Sequence, residues 1–376
     1  MLSETFEFAP ERDAEIFAAA PAAPAVFLLR GANASAEPYV SKTANLRRRL
    51  QRLLSAPTEQ SKKLNLRALV RSIEFSATGS DFESTFLLYR LLRTEFPKTY
   101  AKRLRLRFAP LVKMHADNPF PRASVTTRVG RDISRYYGPF LSRVVAEKFM
   151  NDSLDFFKMR RCVDDLNPDP KFPGCIYSEM KMCLAPCFKG CSDEEYAGEV
   201  ARVESYFESG GDSLVREISA QREAASANLE FENAAAHHAR LDKVAPVVSS
   251  LPEIVRRLDQ LRALIVQTSA MPECVNLFRV DAGCVAGPAT FAISAPDHTK
   301  TQSMEARVDE ALASLPPASP RGALETIEHL AILKRWFYRS SRGGEIFIAD
   351  RKGVLPMRRI VRGVSRVYRG EKEAVN

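Results

Sequence analysis

The chain has 376 residues, with 55 Lys and Arg against 46 Asp and Glu and a formal charge of +9. At about 150 residues per domain, this length predicts two or three domains, each large enough for its own core. A composition of 45% hydrophobic and 27% charged residues is that of a globular protein and excludes a disordered or fibrous chain.

In chain order, residues 1–20 are expected to form a leader. The longest uncharged stretch, 16–29, is broken by Pro21 and Pro24 and preceded by Glu4, Glu7, Glu11, Asp13 and Glu15. It is too short for a bilayer span and lacks the basic start of a secretion signal, so no membrane partner and a cytoplasmic location are expected. Residues 24–30 and 38–42 predict a strand hairpin, followed by a helix over 43–54 with Leu46, Leu50, Leu53 and Leu54 on one face. A basic helix over 61–70, a strand over 72–77 and a helix over 80–94 closed by Pro97 complete an α/β unit spanning 21–105.

Residues 106–160 contain two short strands, a turn at RYYGPF and a helix over 142–157. A cysteine loop fills 161–191. Ser192 with Glu195 three residues on is a capping box, opening a helix that stops at Gly210-Gly211, and further helices reach 250. The remainder, 251–376, mixes strands (274–281, 289–294, 345–349) with helices (304–315, 323–340) around a loop at 316–322. The expected class is α+β, in several domains.

Basic residues gather in three runs. Residues 42–71 hold nine against Glu59, residues 90–107 hold seven against Glu95, and residues 351–369 hold seven and no acid. A single run reads as a solvated helix face. Three favour phosphate contacts, because each cation facing a nucleic-acid backbone releases condensed counterions. Lys42, Arg47, Arg48, Arg49 and Arg52 are the candidate DNA-binding residues. The lone Trp336, within KRWFYR, reads equally as part of a nucleic-acid surface or as a buried helix anchor.

Five of the seven cysteines fall within 30 residues. Cys162, Cys175, Cys183 and Cys187 are spaced C-x12-C-x7-C-x3-C, and Cys191 follows. In a reducing compartment such clustering points to metal chemistry and away from disulfides. The set suits a tetrahedral zinc or a [4Fe-4S] cluster; zinc is the commoner structural ion, although its usual C-x2-C knuckle is absent.

Several segments, in this order, resemble the N-terminal half of the UvrC family, a component of excinuclease ABC in bacterial nucleotide excision repair. AVFLLR and YVSKTANLRRRL resemble the paired strands and first helix of that family's GIY-YIG nuclease. PFPRASVTTRVGRDISRYYGPF resembles the segment after it, CIYSEMKMCLAPC the cysteine loop, and LEFENAAAHHARLDKV the UVR helical hairpin. The resemblance implies a nuclease site with one divalent Mg or Mn ion held by a glutamate, a [4Fe-4S] cluster on Cys162, Cys175, Cys183 and Cys187, and DNA as partner. It also implies a hairpin, at about 214–248, that pairs through Leu229, Phe231, Ala234 and Ala235 with a similar hairpin of UvrB, the helicase-like component of the excinuclease.

The nuclease motif is eroded. Tyr39, Lys42 and Arg49 match its tyrosine and basic pair, but Phe27 replaces the first tyrosine, Leu88 the metal-binding glutamate and Tyr100 a later asparagine. A leucine offers Mg²⁺ no oxygen. Glu83 lies about 140° around the helix from position 88, and Glu95 about 10 Å along it. Phosphate binding is therefore expected in preference to hydrolysis, the alternative being an active structure-specific endonuclease. No catalytic set is expected in 251–376, where Asp281 and Asp297 are isolated.

Overall fold

The computed structural model describes residues 2–33, 35–57, 64–130, 132–163, 166–294, 302–315 and 322–371. Among them, three four-stranded antiparallel sheets and their helices make an α+β protein. The first sheet has the order β1-β4-β2-β3, with β1 at Glu4–Glu7, β2 at Ala25–Gly31, β3 at Tyr39–Thr43 and β4 at Val70–Ala77. Helices α1 (Asp13–Ala19), α2 (Leu46–Leu54), α3 (Asp81–Glu95) and α4 (Tyr100–Leu104) surround it.

Strand alternation sorts the side chains into two layers. Phe27, Leu29, Ile73 and Phe75 face α1 and α2, where Ile16, Phe17, Leu46, Leu50 and Leu53 complete one core. Val26 faces the other way and joins the core built on α3. Each fully buried Leu or Phe contributes about 1.5–3 kcal/mol of apolar transfer free energy.

Residues 2–20, expected as a leader, pack on this unit. Strand β1 pairs with β4, Glu4 opposite Phe75, and α1 packs on α2. Of the helix expected over 61–70, residues 61–63 lie outside the described residues, and 64–69 are not helical. Arg67 there donates to the Leu54 and Pro10 carbonyls, each at 2.7 Å, and to Asp13. It holds the N-terminal segment in place and is no free cation.

The second sheet, ordered β6-β5-β7-β8, combines β5 (Leu111–Met114), β6 (Ala123–Thr126), β7 (Arg135–Gly138) and β8 (Arg256–Arg257), covered by α5 (Arg143–Leu154). The RYYGPF segment, expected as a turn, supplies strand β7, and both its tyrosines are buried. Beyond the short α6 (Ile176–Glu179), Ser192 and Glu195 form the reciprocal capping box of α7 (Asp193–Ser209), at 3.1 and 2.8 Å. Gly211, at φ 97°, begins the turn into α8 (Asp212–Ala227); a Cβ there would lie 2.2 Å from Val248. Helix α8 and α9 (Phe231–Ser249) form an antiparallel hairpin.

The third sheet, ordered β11-β10-β9-β12, contains β9 (Arg262–Thr268), β10 (Cys274–Asp281), β11 (Cys284–Ala292) and β12 (Glu345–Ile348). Helices α10 (Met304–Ser314) and α12 (Met357–Arg369) pack on one face through Val308, Leu312, Ile360 and Val364. Helix α11 (Ala323–Phe337) lies on the other face and joins α3 of the first unit. Asp297 and most of the expected 316–322 loop lie outside the described residues.

The α3–α11 contact is aromatic. Phe82 stands 5.0 Å edge-on from Phe278 and 5.1 Å from Trp336. Trp336 is buried and donates its indole N–H to the Gly343 carbonyl at 3.0 Å, so it is a helix anchor and not part of a nucleic-acid surface. Beneath it the Tyr89 and Tyr100 hydroxyls both donate to Glu328, the former at 2.8 Å. His329 accepts the Val285 N–H on Nδ1 at 3.0 Å. Burial pushes this imidazole down to about 4, so it is neutral.

Helix α12 sits close to its sheet because residue 363 is glycine: a Cβ there would lie 2.1 Å from the Phe347 ring and 2.9 Å from Glu345. Ala elsewhere in a helix gains about 0.5–1 kcal/mol over Gly. Here overpacking decides the sign, and Gly363→Ala is expected to destabilise by about 1–3 kcal/mol, measured as a lowered midpoint in denaturant unfolding.

Candidate nucleic-acid interface and cysteine loop

Three residues apart on β3, Tyr39 and Lys42 point to opposite sides of the strand. On the α2 side the Tyr39 hydroxyl accepts from the Arg49 guanidinium at 2.6 Å. The ring of Phe27, fully buried, lies 6.0 Å from that of Tyr39 and offers no hydroxyl. The Arg49 Nε is buried without a hydrogen-bond partner among the described residues.

On the α3 side the Lys42 ammonium donates to Asp81 at 2.5 Å and to the Thr85 hydroxyl at 2.7 Å. Arg339, just past the end of α11, donates to the other Asp81 oxygen at 2.5 Å. Burial raises the Asp81 carboxyl, but Lys42 and Arg339 outweigh it and hold this group below the usual carboxylate range. Asp81, Thr85 and Leu88 follow one another at i, i+4 and i+7 and so share a helix face. Leu88 is 9% exposed, in the core.

The two acids considered as substitutes for a glutamate at 88 are committed elsewhere. Glu83 accepts the Gly79 N–H at 2.8 Å, and burial raises its carboxyl. Glu95 accepts from both terminal guanidinium nitrogens of Arg30, at 2.7 and 3.1 Å. Tyr100 is turned toward Glu328. The structure thus gathers Tyr39, Arg49 and Phe27 on one side of β3 and Lys42 with Asp81 on the other. Asp81 and Arg339 escaped sequence reading; the only signal for Asp81 was its i−7 relation to Leu88.

The candidate DNA contacts also divide. Lys42 is on β3 and does not open α2, which is capped by Asn45 accepting from the Arg48 N–H at 3.0 Å. Arg47 donates to the Ala20 and Ala18 carbonyls at 2.9 and 3.1 Å. Arg48 and Arg52 are exposed. The first turn of α2 carries no acid, so its arginines face the positive end of the helix dipole.

In the cysteine loop, Cys162, Cys175, Cys183 and Cys187 line one small cavity together with Arg160 and Tyr177. Cys191 lies outside it, beside Phe120 and Lys189. Two sulfurs accept N–H groups at 3.3 Å, Cys162 from Arg160 and Cys183 from the Ala185 backbone. Burial pushes the Cys183 thiol up to about 11, with the neighbouring thiols adding to it. Among the described residues no group of three or more Cys, His, Asp or Glu is closed into a metal-ligand set. Four sulfurs line this cavity with two N–H donors and no carboxylate among its lining residues; these are the residues that would hold a thiolate-bound centre, whose positive charge would offset the cost of ionising buried thiols.

At the tip of the α8–α9 hairpin, Leu229 adopts φ 62°. Leu229 and Phe231 are 72% and 67% exposed, Ala235 is exposed and Ala234 half-buried. No helix among the described residues is long and apolar enough to cross a membrane.

Residues 109–206, which carry β5 to β7 and the cysteine loop, match the family model of the UvrC/Cho excinuclease middle domain. The chain is related to the UvrC family. It is 31% identical to UvrABC system protein C of Moorella thermoacetica over 221 residues, 59% of this chain and 36% of that one. Against the protein of the same description from Acetivibrio thermocellus, identity is 23% over 332 residues, 87% of this chain and 53% of the other. The Rickettsia felis protein is 26% identical over 270 residues, covering 71% and 41%. The chain thus spans between about a third and a half of the length of these curated relatives. No solved structure matches it.

Proposed function

We propose that this chain is a UvrC-like protein of nucleotide excision repair that holds DNA by its backbone, with a GIY-YIG-like nuclease site that is inactive or weak. The observation that carries this reading is the buried Leu88 where the family's metal glutamate stands. Asp81, a carboxylate on that helix face, is already paired with Lys42 and Arg339. In this reading residues 21–105 are the nuclease-like unit, 161–191 hold a [4Fe-4S] cluster or a zinc ion, and 192–250 contain the UVR hairpin. The exposed Leu229 and Phe231 are suited to anchor a hairpin of UvrB, as aromatic and aliphatic tips do in hot spots.

An active structure-specific endonuclease is the second reading, favoured by one observation: Asp81, Thr85 and Lys42 bring polar groups to the face that Leu88 occupies. Divalent metal would then have to displace both cations from Asp81.

DNA binding is tested through α2. Backbone contacts cost about 0.9 units of log–log salt slope per phosphate on duplex DNA. Arg48→Ala with Arg52→Ala is expected to flatten the slope by up to about 1.8 units and to weaken all sequences alike. An unchanged slope, read by anisotropy titration across salt, would reduce α2 to a solvated face.

A further inference from the structure

Helix α12 carries five arginines and no acid, on a helix whose apolar face is sealed. Ile360, Gly363, Val364 and Val367 are buried against the third sheet, and Arg366 is held by Glu345 through two bonds of 2.8 and 2.6 Å. Arg358, Arg362 and Arg369 point the other way and are exposed. At 100° per residue they fall within about 40° of one another, a straight cationic stripe about 17 Å long. Arg369 meets Glu371 at 3.4 Å; Arg358 and Arg362 have no ion-pair partner among the described residues. Lys352, exposed on the preceding turn, extends the charge.

Fold stability does not account for this placement. Arg358 occupies the first turn, which has no acid, where the positive end of the helix dipole disfavours cations. The same unfavourable arrangement occurs at the start of α2. Arg358 is thus held against the local field, and neither it nor Arg362 meets an anion among the described residues.

We propose that α12 is a second nucleic-acid surface, one that grips the phosphate backbone by charge. A lipid surface fits less well: a membrane-lying helix offers an apolar face to the acyl boundary, and here Ile360, Val364 and Val367 are spent on the sheet, leaving Tyr368 as the exposed large apolar residue of the helix. The inference stands apart from the reading of α2. The third sheet and α11 separate α12 from the first unit, so the two surfaces are read by separate variants.

The test uses the full chain and a random-sequence duplex, titrated across salt. Arg358→Glu with Arg362→Glu is expected to lower the log–log slope by about two units, at about 0.9 per lost phosphate contact. Its thermal midpoint is expected to stay level or rise, because position 362 is exposed and an acid at 358 suits the first turn of the helix. Arg358→Lys with Arg362→Lys is expected to keep the slope. The same loss is expected in a chain already carrying Arg48→Ala and Arg52→Ala, whether or not those two have an effect. An unchanged slope in the Glu variant overturns the proposal. So does a variant that loses binding to phosphatidylserine vesicles or to an acidic polypeptide while its DNA affinity is unaltered.

Discussion

Damaged duplex DNA incubated with the purified protein in Mg²⁺ or Mn²⁺ is expected to remain unnicked, alone or with the other components of excinuclease ABC. A divalent metal supplies several kcal/mol of charge stabilisation in phosphodiester cleavage, and it needs oxygen ligands. Position 88 offers a methyl-tipped side chain in the core, and position 27 a ring without a hydroxyl. Restoring both groups is not expected to restore cutting. In Leu88→Glu the carboxylate enters a packed cluster, and an uncompensated buried charge costs about 3–5 kcal/mol unless Lys42 leaves Asp81 to pair with it. The Phe27→Tyr, Leu88→Glu double variant should therefore melt earlier and still not cut. Metal-dependent incision by the wild-type chain, abolished by Asp81→Ala or Lys42→Ala, would overturn the non-hydrolytic reading in favour of the endonuclease.

Anaerobically purified protein is expected to be brown. Replacing any one of Cys162, Cys175, Cys183 or Cys187 by Ser should bleach it, since these four sulfurs share one cavity. Cys191→Ser, Cys274→Ser and Cys284→Ser should leave the colour intact; Cys284 is buried beside the Thr326 hydroxyl at 3.5 Å, far along the chain from the loop. The loss should also lower the unfolding midpoint, because binding energy in a structural metal site is folding energy, about 10–16 kcal/mol for zinc in small domains. A colourless protein with one zinc per chain would select zinc, and a metal-free chain that melts like the Ser variants would sink both centres.

Much of the architecture is legible in the sequence where a local pattern decides it. The leucines of α2 repeat at helical spacing, and all four are buried. The Ser192–Glu195 box appears with both of its hydrogen bonds. What escaped depends on distant partners. Strand β1 is four residues long and exists because β4 offers it an edge. Helix α12 has a glycine among its few apolar positions, which weakens its helical signal, yet that glycine is what its approach to Phe347 requires. Arg339 and Asp81 are 258 residues apart, beyond any spacing rule. For the cysteines, the resemblance singled out four of the five loop thiols; those four line one cavity and Cys191 lies outside it.

The aromatic seam between α3 and α11 makes the break near residue 250 one of topology and not of stability. A chain cut there would lose the partners of Phe82, Phe86 and Tyr89, rings buried to within a few per cent of exposure, and would present a sticky apolar row to solvent. The Tyr89 and Tyr100 hydroxyls would lose Glu328 at the same stroke. Dissecting the first unit away from its C-terminal neighbour therefore yields a different object from the unit in place: Asp81 would be released from Arg339, and the cation balance around Lys42 would change with it.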